Sequence, residues 1–251
     1  MKEFIKYIFI VIIVICFFES CSKSDDDNDS KKKVIAKITL KSLDDIDNGV
    51  EIYANQTFNF SYVNGEVSKI ESDNYVTSFN YDNKKLLSVT YGKENIDTKK
   101  ISYSNNKIIQ TMTLETMTEF FYDEANKLNE IQSSYIESNF LKKYSTKYFF
   151  LENNIIRTYK EPFINPNVEE ITYKYDNKNN PYKNHNINFR LIWGFETYNL
   201  SENNAIEEIN GNKTIDYSII YDSEDYPIKV TGTDKKTGEL WTEYTYEYIK
   251  I

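Results

Sequence analysis

The chain is short of glycine, alanine, cysteine and histidine, and each shortage excludes something. Among 251 residues there are 7 Gly, 4 Pro, 2 Cys and 1 His. Alanine is confined to Ala36, Ala54, Ala125 and Ala205. Without the strongest helix former, and with 22 Tyr and 15 Phe, the composition leans to strand. With so little glycine, tight turns fall to Asn and Asp, which tolerate left-handed backbone and form Asx-turns. One imidazole and no thiolate cluster make a poor nitrogen- or sulfur-ligated metal site, so neither a metal nor a cofactor is expected. No Gly-x-Ser-x-Gly elbow is present to carry a nucleophile. A basic stripe is missing too: the net charge is −9 and both signs are interleaved. That excludes nucleic acid as a natural partner, because no surplus of cations waits for phosphates.

What is present begins with a leader. Lys2 and Lys6 precede an apolar run from Tyr7 to Phe18, a signal-peptide layout too short for a comfortable transmembrane helix. The run stops at Glu19-Ser20-Cys21. A small residue followed by cysteine at this point resembles a bacterial lipobox, which implies cleavage after residue 20 and a lipid on Cys21. Glu19 and Phe18 depart from the usual small residue and leucine, and the alternative is an ordinary signal peptide with a stray cysteine. Cys16 would leave with the leader, so Cys21 would be the sole cysteine of the mature chain, with no intramolecular disulfide to form.

Residues 21–33 read as the lipidated cysteine and a flexible tether. From Ser22 to Lys33 there is no apolar residue, so the segment cannot bury a core, and its extended reach is roughly 40 Å. The acidic run Ser24-Asp25-Asp26-Asp27 resembles the surface-export signal of Bacteroidetes lipoproteins. That resemblance implies an outer-membrane protein facing outward; a solvated spacer on a periplasm-facing lipoprotein is the alternative.

Residues 34–251 read as one domain built from a repeated phrase. Phe79-Asn80-Tyr81-Asp82-Asn83-Lys84-Lys85-Leu86 recurs in variant form at 121–128, 173–181 and 220–227. Each copy is a strand ending on tyrosine, a polar turn opened by aspartate, and a return strand. An earlier copy, Tyr62-Val63-Asn64-Gly65, carries Asn-Gly, the strongest short hairpin signal. Anchor aromatics recur at Tyr62, Tyr81, Tyr103, Tyr122, Phe149, Tyr175, Tyr221 and Tyr246, with a degenerate copy expected at 199–206 inside the one long gap. Ile171, Tyr173 and Tyr175 share one strand face, as do Tyr244, Tyr246 and Tyr248, with polar residues opposite. One apolar and one wet face describe an antiparallel sheet. The expected fold is all-β: an antiparallel meander of β-hairpins, about sixteen strands, closed into a barrel or strongly curled. Lys, Glu and Asp on the wet faces argue against a bilayer-spanning barrel.

The Tyr-Asp turn followed by Leu, Ile or Pro resembles the YD repeats of bacterial cell-surface proteins. The whole layout is similar to small Bacteroidetes lipoproteins of unknown function, over roughly residues 55–251. That resemblance implies a barrel-like, porin-like meander.

Candidate chemistry is thin. His185 sits in an Asn-rich segment and reads as a solvated loop residue. Glu169-Glu170 and Glu207-Glu208 are neighbours on strands, so their carboxylates diverge to opposite faces instead of meeting across a cleft. Residues 181–197 break the regular pattern, as a short helix or a loop packed on one end of the sheet, and Trp193 within them is the candidate for stacking on a ligand. The expected function is a surface-exposed, non-enzymatic binding or scaffold module held to the membrane by its lipid. A polysaccharide or an outer-membrane protein is the partner class. The alternatives are an accessory to glycan degradation or uptake and a purely structural envelope protein.

Overall fold

The expected alternation folds into sixteen antiparallel strands that pair in chain order and close, the first against the last. A computed structural model describes residues 31–47, 50–73, 75–92, 97–137, 140–162, 168–193 and 199–251. Cys21 and the run Ser24 to Asp27 lie outside the described residues. The strands are β1 (Lys33–Asp47), β2 (Val50–Val63), β3 (Glu66–Glu71), β4 (Val76–Asp82), β5 (Lys85–Tyr91) and β6 (Asp97–Ser104). They continue as β7 (Lys107–Met112), β8 (Thr116–Tyr122), β9 (Leu128–Glu137), β10 (Phe140–Leu151) and β11 (Asn154–Pro162). The last five are β12 (Glu169–Tyr175), β13 (Ala205–Asn210), β14 (Lys213–Tyr221), β15 (Pro227–Asp234) and β16 (Leu240–Lys250). A short helix, α1 (Ile187–Ile192), lies between β12 and β13. Closure pairs Ile38 with Tyr246 and Leu40 with Tyr244, leaving no free sheet edge among the described residues.

Every Tyr-Asp turn lies at the same end of the barrel, because each joins an even-numbered strand to the next odd one. At Asn83-Lys84 both central residues take positive φ (46° and 64°), as they do at Asn105-Asn106 (49° and 61°). That is the backbone a two-residue hairpin turn of matching twist demands, and asparagine supplies it where glycine is scarce. In the longer turn after Tyr221, Asp222 accepts through Oδ1 from the backbone N–H groups of Glu224 (2.9 Å) and Tyr226 (3.1 Å).

Each anchor aromatic is followed, across the hairpin, by a β-bulge in the return strand. Tyr81 pairs with Leu86 while Asn80 pairs with Ser88, so Leu87 is the extra residue. Ile109 is extra opposite Tyr103, Asn129 opposite Tyr122 and Ile228 opposite Tyr221. The return strand therefore runs in, out, out, in, as in Leu86 (0% exposed), Leu87 (45%), Ser88 and Val89 (1%). A bulge disrupts the ladder locally, and the anchor hydroxyl supplies a partner there. Tyr103 donates to the carbonyl of Leu86 (2.7 Å), Tyr122 to Ile108 (2.8 Å), Tyr175 to Ile155 (2.7 Å) and Tyr248 to Pro227 (2.7 Å). Tyr62 does the same to Ile35. At these five anchors the hydroxyl gives tyrosine a bond that phenylalanine, which stands at Phe150, lacks.

The bulges also correct the expected register. The inward anchor on β10 is Phe150, which pairs with Ile155, while Phe149 faces out under the Arg157 guanidinium at 4.4 Å. On β16 the anchor is Tyr248, with Tyr246 deeper inside. The expected copy at 199–206 is not a separate hairpin: residues 176–204 are one long connection between β12 and β13.

The outer wall is charged at mid-strand. Lys37 pairs with Glu247 (2.8 Å), Lys229 with Glu243 (2.9 Å), and Glu207 is held between Lys174 (2.6 Å) and Lys235 (2.9 Å). Pairs of this kind at a surface add little stability. Among the described residues, no helix is long and apolar enough to cross a membrane.

Candidate functional site

The connection 176–204 plugs the end of the barrel that carries the turns. With little regular structure, its backbone needs side-chain partners, and asparagine offers both a donor and an acceptor. Asn154 Oδ1 accepts from the N–H groups of Glu202 and Asn203 (both 3.0 Å). Asn186 caps α1 by accepting from Asn188 N–H (2.9 Å). Asp176, the aspartate of this repeat, accepts from Asn204 N–H (3.0 Å) and from the Tyr221 hydroxyl. Among the described residues, no carboxylate is in hydrogen-bond contact with the buried Arg190. Its Nε and Nη2 donate to the carbonyls of Asn199 and Ser201, and burial holds its pKa down at about 10. The guanidinium thus staples the two arms of the plug together.

The plug is pinned by an aromatic cluster. Phe189, fully buried, meets Phe79 edge-on at 5.2 Å and lies parallel to Trp193 at 6.3 Å. Trp193 in turn meets Phe58 at 6.0 Å and Phe60 at 6.1 Å, both edge-on. The residue expected to stack on a ligand is therefore placed by the structure at the hub of the plug's packing. His185 corrects the sequence reading outright: it is 8% exposed, not solvated. Its Nε2 lies 3.0 Å from the Tyr62 hydroxyl. Since that hydroxyl donates to Ile35, Nε2 carries the proton and donates to it, while Nδ1 has no hydrogen-bond partner among the described residues. Burial pushes the His185 pKa down to about 4. Leu191 and Phe189 extend into two apolar clusters, one along β7–β11 and one along β1–β5 and β14–β16, so this half of the lumen is dry.

The opposite end is different. Asp97 pairs with Tyr91 and Lys99 with Val89, so these two charged residues share the inward face that ends on anchor Tyr103. They line a concavity of about 500 Å³ with Tyr75, Tyr91, Leu114 and Thr116. Tyr75 and Tyr91 are tilted rings 6.2 Å apart, and Lys99 Nζ lies 5.4 Å from the Tyr91 centroid. Burial lowers the Lys99 pKa, opposed by Tyr144 and Asp97, and burial together with Asp97 raises that of Tyr91 to about 12. Tyr144, on β10, meets Tyr135 at 6.3 Å. Further round the wall the Tyr217 hydroxyl donates to Glu208 Oε2 (3.2 Å). Flat rings beside a partly desolvated cation and carboxylates can stack on sugar faces and bond their hydroxyls. The signal for this site was legible but unread: two charges, Asp97 and Lys99, on the apolar face of an otherwise regular strand.

A second, smaller concavity of about 370 Å³ opens at the plugged end between α1 and three turns, lined by Tyr122, Leu128, Phe150 and Leu191 with Lys107 and Lys127. Both lysines are engaged, donating to the carbonyls of Asn126 and Glu152. The carboxylate pairs diverge as expected. Glu207 faces out to its lysines and Glu208 inward to Tyr217, while Glu170 lies 3.8 Å from Arg157 on the outer wall. Among the described residues, no group of three or more His, Cys, Asp or Glu is placed to hold a metal ion.

Solved structures share this architecture. A porin-like protein from Bacteroides uniformis superposes with a TM-score of 0.58 over 86% of this chain and 98% of its own, at 10% identity. The fold is a porin-like barrel. A second porin-like protein, from Bacteroides vulgatus, matches at a TM-score of 0.46 and 13% identity, over 88% of this chain and all of its own. No protein-family profile matches the chain, and no curated protein matches its sequence.

Proposed function

We propose that this chain is a lipid-tethered outer-membrane protein whose barrel is a binding module and not a pore. The observation that carries the reading is the asymmetry of the lumen: one end is filled by the plug, while the other presents tyrosines, Lys99 and Asp97 around an open concavity. The chain joins the barrel at the plugged end, where Lys32 and Ile251 exchange backbone hydrogen bonds (2.9 and 3.0 Å). A lipid on Cys21 would tether the chain to the membrane from that end. The charged equator supports a barrel that stands in water. The ligand class is a polysaccharide, taken up by ring stacking and hydroxyl bonding with no covalent step. The diverging carboxylate pairs support a non-enzymatic role. The run Ser24 to Asp27 would send the protein to the outer face of the cell.

The test is binding of soluble oligosaccharides to the full-length lipoprotein, with Tyr91→Ala and Lys99→Ala as variants. Saturable binding that each variant weakens tenfold or more supports the reading; binding unaltered by both variants contradicts it. The anchor is tested separately: Cys21→Ala abolishes incorporation of labelled fatty acid into the protein, and persistent labelling contradicts lipidation at Cys21. A purely structural envelope role is favoured by the dry, packed half of the lumen, and no binding by any oligosaccharide would shift the account to it.

A further inference from the structure

The bulges place apolar side chains on the outside of the barrel at one level. Five extra residues are aliphatic and exposed: Leu87 (45%), Ile109 (40%), Ile156 (37%), Ile206 (39%) and Ile228 (38%). A bulge is not needed to be apolar here, since Ser68 and Asn129 occupy the same position in other hairpins. Outward residues at the ends of neighbouring strands extend the ring: Val63 (60%), Phe121 (41%), Leu151 (63%), Ile220 (55%) and Ile249 (41%). All ten lie within about three residues of the plugged end, a band roughly 10 Å deep at the rise of a strand. Below them the wall turns to the Lys–Glu pairs already described. Of the other exposed apolar side chains, Ile187 lies on α1 at the plugged end itself and Tyr144 on the inward face of β10, while Tyr75, Met112, Leu114, Leu141, Val168 and Trp241 fall in or beside connections of the open end and recur at no fixed hairpin position.

We infer that this ring is a membrane-docking surface that seats the plugged end of the barrel in the headgroup layer of a lipid bilayer. Singly exposed apolar residues are ordinary on a protein surface, whereas a band of them at one level marks an interaction site. The occupant follows from the chain outside the described residues. The segment that leaves this end from Lys32 leads within a dozen residues to Cys21 and then to the apolar run Tyr7–Phe18. Whether that segment keeps the run or carries a lipid on the cysteine, its membrane-seeking part is attached to the ringed end. A band about 10 Å deep matches the depth to which interfacial apolar faces sink, and it is far short of the hydrocarbon thickness needed to span. A lipid at the end of a flexible tether holds the protein to the membrane without orienting it, whereas a second, apolar contact on the barrel fixes the direction of the mouth. The inference deepens the proposed tethering but stands on the ring itself.

The test places a nitroxide label on the full chain bound to phosphatidylethanolamine–phosphatidylglycerol vesicles. One variant is labelled through Ile109→Cys in the ring, the other through Thr245→Cys at the equator, and the signal of the unsubstituted chain is subtracted. The expected result is collision with lipid-soluble oxygen at 109 and with an aqueous nickel reagent at 245. Equal aqueous exposure at both positions overturns the docking surface, whether or not Cys21→Ala releases the protein. In a second measurement, the Cys21→Ala chain floats with these vesicles, and replacing Leu87, Ile109, Ile156, Ile206 and Ile228 with serine lowers flotation at least tenfold. Loss of flotation from Cys21→Ala alone, with the ring intact and aqueous at 109, would assign all attachment to the lipid and overturn the inference.

Discussion

The two halves of the barrel are made from the same strands yet use their inward faces differently. Near the turns, Leu86, Ile108, Ile155 and Phe189 are fully buried, and tyrosine hydroxyls are spent on backbone carbonyls. Toward the other end the same strands bring Tyr91, Asp97, Lys99 and Tyr144 inward, and the hydroxyls and charges have space in front of them. The contrast shows how a repeat can build both a rigid base and a receptive mouth. The Tyr-Asp half of each hairpin is constrained by turn, bulge and hydroxyl together. The other half is free to vary in side chain as long as the pleat is kept.

The strongest way to break the contrast is to hollow the base. Phe189→Ala is expected to cost about 4 kcal/mol, read by urea unfolding, because its ring joins the plug to Phe79 and Trp193. A cost below about 1 kcal/mol would mean that the plug does not contribute to the fold. Acid should act on the same region. His185 is buried neutral with its pKa at about 4, below its ordinary 6.5, so the unfolded chain takes up a proton that the folded chain refuses. Its contribution is complete above pH 6.5 and is lost as pH falls from there to about 4, by up to about 3 kcal/mol. His185→Gln should flatten stability over that window. A smaller effect is expected on the wall between the halves, where a Cβ on Gly232 would meet Tyr217 Cε1 at 2.7 Å. Gly232→Ala should lower stability by about 1–3 kcal/mol in the same assay.

Two further changes sharpen the comparison within the repeat. Tyr103→Phe removes the hydroxyl from the Leu86 carbonyl and should cost about 1 kcal/mol. Tyr81, at the same position of its own hairpin, has a buried hydroxyl with no partner among the described residues, so Tyr81→Phe should be neutral or slightly stabilising in thermal melts. Equal losses from both would show that the hydroxyl bonds are not what the anchor position selects.

Much of this was legible in the sequence. The hairpin count, the turns, the shared tyrosine faces and the sheltered edges all follow from period-two patterning and Asx chemistry, which are local. The bulges were not read, although Leu86-Leu87, Ile108-Ile109 and Ile155-Ile156 each place two apolar residues where strict alternation allows one. That is why the anchors at Phe150 and Tyr248 were misplaced onto Phe149 and Tyr246. The plug was expected as a short helix or loop on one end of the sheet, but the burial of His185 within it was missed for a different reason. An Asn-rich stretch looks solvated, but its amides satisfy buried backbone, so His185 and Trp193 could be drawn into the core with it. The mouth was missed because a charge on an apolar strand face is informative only once the barrel shows what it faces.

The division of the lumen into a dry base and a receptive mouth is tested most directly by hydrogen exchange along the whole chain, with and without an oligosaccharide. The account predicts that amides beside Leu86, Ile108 and Ile155 exchange last and are unchanged by ligand, while those around Tyr91, Asp97 and Thr116 exchange early and slow when it is added. Uniform exchange along the strands, or ligand protection confined to the plug, would contradict it.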